Sequence, residues 1–198
     1  MNNYIAKEIE NTNELPLKGY GRWELEIPCL NETIDSKESI FKIIDDFTKS
    51  FEWCEFEKGI IDNDIPFNSL NDILKFEKIL FLKLHFKSKL YWQDENEPIE
   101  TLNISNHIVI TFYLDDVNKE LEIYCYNNFY TDLIIFNDKY EFNNAAKLNR
   151  EQLRKSLKSF ESSSNCKIIR FYSEKYLTIE KYGFPENVTI NDYTNYKS

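Results

Sequence analysis

The chain has 198 residues, 42% hydrophobic and 16% aromatic, with 34 Asp and Glu against 24 Lys and Arg and a net charge of −10. That much apolar and aromatic material excludes a disordered acidic tail, so the charge decorates a folded body. A field of this sign repels DNA and anionic membranes, so the expected partners include neither nucleic acid nor a membrane.

Residues 1–20 are polar and read as an N-terminal arm. Trp23, Leu25 and Ile27 alternate with Arg22, Glu24 and Glu26, the period-two pattern of a half-buried strand ending at Pro28. A helix follows over about 36–51, with Asp35 and Glu38 as its expected capping box and Ile40, Ile43, Ile44, Phe47 and Phe51 on its apolar face. Trp53 to Lys58 alternates as a strand, and a loop rich in Asp, Asn, Pro and Ser leads to a short helix around Asp72 to Phe76. Ile79 to Phe86 reads as a strand, and Asp94 to Pro98 as a surface loop.

The most regular stretch predicts an antiparallel meander over 107–136, with strands near His107–Leu114, Leu121–Tyr126 and Phe129–Phe136 and a tight turn at Asn127-Asn128. A second helix is expected over about 149–161, capped by Asn149 with Gln152 as its partner, and burying Leu153, Leu157 and Phe160. Lys167–Tyr172 and Tyr176–Glu180 complete the strands, followed by a polar C-terminal tail. The expected fold is therefore α+β: one domain over 1–198, with an antiparallel sheet of about six or seven strands and two principal helices packed on it.

The residues that do chemistry are sparse. The histidines are His85 and His107, and the glycines are Gly19, Gly21, Gly59 and Gly183, too few and too scattered for a backbone phosphate cradle. Asp62-Asn63-Asp64 begins like a calcium loop, but Phe67 and Ile73 stand where the glycine and the bidentate glutamate belong. No metal and no cofactor are expected, and the chain reads as a non-enzyme. The alternative is an unadvertised pocket near His85 or His107, either of which would serve as base to a cysteine such as Cys54 or Cys125.

Cys29, Cys54, Cys125 and Cys166 form no C-x-x-C pair and are expected to be reduced and mostly buried. The start MNNYIAKEIENTNELP has no apolar core behind basic residues, and no run reaches the ~18 apolar residues of a membrane span, so a cytoplasmic protein is expected. Usage of 22 Asn, 23 Ile and 20 Lys against 4 Arg and 3 Ala reads as the product of an A+T-rich, bacterial genome.

Charge is uneven along the chain: residues 141–198 carry 10 bases and 7 acids, and everything before them is acidic. Lys147, Arg150, Arg154 and Lys158 recur at helical steps and read as the wet side of the second helix. The acids gather in two groups, Glu52, Glu55, Glu57, Asp62 and Asp64, and then Asp94, Glu95, Glu97 and Glu100. With Tyr91 or Trp92 beside them they would make an acidic patch around an aromatic anchor, suited to a basic protein partner.

In size, acidity and lack of a catalytic signature the chain resembles bacterial immunity proteins. That resemblance implies a protein that neutralises a cognate toxin by blocking its active site or substrate groove, here a basic toxin domain. The alternative is a scaffold or regulatory interaction module, with homo-oligomers formed through a sheet edge.

Overall fold

Alternating apolar residues and two amphipathic stripes build the elements of this chain, seen in a computed structural model. It describes residues 24–31, 34–93, 98–114, 119–126, 129–130, 133–136, 139–142, 144–173 and 181–183. In chain order they are β1 (Glu24–Leu30), α1 (Lys37–Ser50), β2 (Cys54–Ile61), β3 (Ile65–Phe67), a 3-10 turn (Leu70–Lys75), β4 (Phe81–Trp92), β5 (Glu100–Tyr113), β6 (Glu120–Tyr126), β7 (Leu133–Phe136), β8 (Lys139–Phe142), α2 (Ala145–Ser163), β9 (Lys167–Ile168) and β10 (Tyr172–Ser173). The strands pair antiparallel in the order β10-β1-β6-β5-β4-β2-β3, with β9 also on β1, and the α+β class follows. The arm, the tail, the Asn127-Asn128 turn and the strand expected at 176–180 lie outside the described residues.

β4 sets the geometry. Leu82, Leu84, Phe86, Ser88, Leu90 and Trp92 point into the core, and Lys87, Lys89 and Tyr91 point away from it. The strand runs six residues past the expected end at Phe86, because Ser88, polar but buried, continues the inward face. Both helices lie on that face. Phe47 of α1 stacks on Phe51 with ring centroids 4.2 Å apart, tilts against Phe86 of β4 at 5.0 Å and meets the edge of Phe160 of α2 at 5.8 Å.

Three local expectations are corrected. The N-cap of α1 is Ser36: its Oγ accepts from the Ser39 N–H at 3.2 Å, and Ser39 Oγ accepts from the Ser36 N–H at 3.1 Å. Asp35 and Glu38 sit one residue too early for that reciprocal pair. α2 begins four residues before its expected start, so Asn149 is an interior, fully buried residue and not a cap.

The meander also differs. β4, β5 and β6 are neighbours, but β1 takes the next place and β7 pairs with β8 in a separate two-stranded sheet. β1 offers Ile27 and Cys29 to the core next to Leu121 and Ile123, closing it from a distant part of the chain. Arg150, expected on the wet side of α2, is only 8% exposed.

Irregularities mark the middle of the sheet. β2 bulges at Glu57, between Phe56 and Lys58. β5 places Ser105, Asn106 and His107 opposite the lone Lys87, with Asn106 in the left-handed region at φ 52°. The Glu57 carboxylate accepts from the Asn106 N–H at 3.0 Å, so one bulge holds the other.

Candidate functional site at the end of the long hairpin

β2 stops pairing with β4 at Cys54 and Ser88, and β4 continues with β5 as a two-stranded hairpin through Tyr91–Thr101 and Trp92–Glu100. The edge that β2 leaves must find other partners. The Lys89 N–H donates to the Trp53 carbonyl at 2.9 Å. The Tyr91 N–H donates to Asn149 Oδ1 at 2.9 Å, and Asn149 Nδ2 donates back to the Tyr91 carbonyl at 2.8 Å and to the Phe129 carbonyl at 2.9 Å. α2 is further joined to this end by Trp53, whose Nε1 donates to Ser156 Oγ at 2.9 Å.

Around this junction three large apolar side chains remain in solvent: Tyr91 at 37% exposure, Ile99 at 41% and Leu148 at 38%. Glu52, in the turn before β2, and Glu100, opposite Trp92, are exposed at the same end and form no ion pair with described residues.

The other predicted site residues scatter. Asp94, Glu95 and Glu97 lie between the two hairpin strands in sequence but outside the described residues. Trp92 is in the core, edge-on to Phe129 at 6.0 Å, because its position on β4 is an inward one; it is no surface anchor. Glu55 pairs with Lys87 across the strands at 2.7 Å, and Glu57 is spent on the Asn106 N–H. Asp62 accepts from the Leu80 and Phe81 N–H groups at 3.0 and 2.7 Å, which anchors the start of β4. Asp64 is exposed in the β2–β3 turn, at the far end of β2. Among the described acids of the two groups, Glu52, next to Trp53 on the edge of β4, and Glu100, opposite Trp92, lie at the end of the hairpin that carries Tyr91, whereas Asp62 and Asp64 lie at the other end of β2.

The histidines also separate. His85 is half-buried on the outward face of β4, opposite Lys58 and Val109. His107 is 1% exposed, and its Nδ1 lies 2.6 Å from Ser88 Oγ among the rings of Trp53, Phe129 and Tyr130. A serine beside an imidazole is the pairing of a nucleophile and its base. Ser88 is itself 3% exposed, so no substrate meets it in this conformation.

All four cysteines are free and buried, and burial pushes the Cys29, Cys54 and Cys125 thiols above the ordinary range, the reverse of nucleophile activation. A groove of about 380 Å³ opens at the start of α1, and its walls mix Asp35 and Glu77 with Lys37, Lys78 and Lys119 but bring neither a histidine nor a cysteine. Among the described residues no His, Cys, Asp and Glu cluster could hold a metal ion, and no helix is long and apolar enough to cross a membrane.

The sequence marks Asn149 as a helix cap and gives no role to Ile99 or Leu148. A signal for Asn149 exists: stepping back by four from Leu153 on the Leu153–Leu157 stripe lands on it, which marks it as inward-facing. Ile99 and Leu148 are isolated apolar residues in polar contexts, and only the fold brings both to the same end of the molecule, Ile99 next to Glu100 opposite Trp92 and Leu148 next to Asn149. Comparison with protein-family models, curated proteins and solved structures finds no match.

Proposed function

We propose that this chain is a non-catalytic binding protein that docks on a basic protein partner through the end of the β4–β5 hairpin, as immunity proteins dock on a cognate toxin. The observation that carries the reading is the exposure of Tyr91, Ile99 and Leu148 at this end of the molecule, together with Glu52 and Glu100, which are exposed there and form no ion pair with a described residue. Aromatic and aliphatic anchors inside a charged rim are the makeup of a protein interface, and the carboxylates steer a basic partner to it. Burial of the Ser88–His107 pair and of the thiols supports binding over catalysis.

The test begins with affinity purification of the tagged chain, washed at low and then high salt, to obtain the partner. Tyr91→Ala is then expected to weaken binding by about 10-fold or more, as truncating a central anchor does. Reversing charge at Glu52 and Glu100 slows association most at low salt. A variant carrying all three changes that binds the partner with unaltered affinity removes this surface from the interface.

A second reading, a self-associating module, is favoured by one feature. β3 covers only Gly59–Ile61 of β2, so among the described residues Cys54–Lys58 has no strand on its outer side. Light scattering separates the readings, since a module built through that edge is a symmetric oligomer.

A further inference from the structure

Asn149 is an unusual residue for its place. It is fully buried in the interior of α2, on the stripe that Leu153, Leu157 and Phe160 continue, where an aliphatic side chain would favour both helix formation and burial. Its amide instead presents one acceptor and two donors, and all three are used on backbone groups of two other segments. Toward Tyr91 it offers the same donor and acceptor pair that a neighbouring strand would offer, at the point where β2 has ended. Toward Phe129 it holds a residue whose ring packs on both Trp92 and His107, at 6.0 and 5.5 Å.

We propose that Asn149 is the positioning residue of the hairpin-end surface. Its amide latches Tyr91 and the Phe129 segment to α2, so the end of β4 that presents Tyr91 is rigid before a partner arrives. This rests on the reading of that end as the docking surface, but the latch is measured on the free protein, so it fails or holds separately from that reading. A preorganised surface loses less conformational freedom on binding. The latch also occupies the backbone of Tyr91, which directs recognition to its side chain and away from strand addition.

Amide hydrogen exchange of the full chain tests it, with Asn149→Leu, which keeps the volume and removes the hydrogen bonds. The Tyr91 amide is expected to exchange on the order of 10-fold faster or more through local opening, while Ile110 and Ile123 in the central strands stay close to the global limit. A core variant, Ile43→Ala, serves as the control for general destabilisation and lowers all three together. If Tyr91 in Asn149→Leu loses protection only in proportion to Ile110 and Ile123, Asn149 is ordinary structure and the proposal falls. Should Asn149→Leu not fold, the wild-type protein decides: a Tyr91 amide protected well above an open hairpin end supports the latch, and one exchanging at the rate of an exposed amide overturns it.

Discussion

At the residue scale, several side chains are committed to tasks that their chemistry alone does not announce. Gly59 is the simplest. A Cβ at that position would stand 2.1 Å from an atom of the Phe67 ring, which crosses β2 from β3 and packs at 6.0 Å against Phe56. Replacing Gly59 with Ala therefore forces the ring off its seat and is expected to destabilise the protein by about 1–3 kcal/mol, read by chemical denaturation. The acids divide in the same way. Glu57 and Asp62 accept from backbone N–H groups, Glu55 faces Lys87, and Glu52, Asp64 and Glu100 remain for solvent or a partner. Composition counts six equal carboxylates; the hydrogen bonds separate them.

At the element scale, α1 was legible because its apolar residues recur at three and four over four turns, a pattern that survives an error in its cap. The true cap, Ser36 with Ser39, makes a specific prediction: Ser36→Ala costs about 1 kcal/mol, measured by thermal or urea unfolding. The acidic Asp35 cannot substitute, since its backbone N–H already donates to Ser39 Oγ and it stands outside the capping position. The start of α2 was not legible, since Ala145, Ala146 and a buried Asn149 and Arg150 do not form a visible apolar stripe. The full length of β4 is hidden for the same reason. A strand face is recognised by hydrophobicity, and Ser88 is buried through its contact with His107, a partner 19 residues away.

At the scale of the whole molecule, Glu161 joins the end of α2 to two later segments. It accepts from the Ile168 N–H at 2.8 Å, meets Lys181 at 2.7 Å and accepts from the Tyr182 hydroxyl. Burial opposes its ionisation, but Lys181, Tyr182 and the Ile168 N–H outweigh it and hold the carboxyl below the usual glutamate value. A carboxyl depressed in the folded state stabilises it fully above the unfolded value of about 4.3 and loses that contribution as pH falls through the folded value. Glu161→Gln is therefore expected to lower stability at neutral pH and to narrow the difference between pH 7 and pH 3 in urea titrations. An unchanged difference would show that this junction does not contribute to acid sensitivity. The sequence by itself determined the class: enough alternating and helical apolar pattern for an antiparallel sheet under two helices, with a strongly acidic charge balance. Periodicity is local, so it survives without knowledge of neighbours. Which strands pair, which acids are spent on backbone groups, why Trp92 is inside while Tyr91 is out, and how Ile99 and Leu148 reach one end were decided only by the tertiary structure. Those outcomes depend on register and on contacts between residues far apart in the chain, such as Asn149 with Tyr91, and no local pattern carries them.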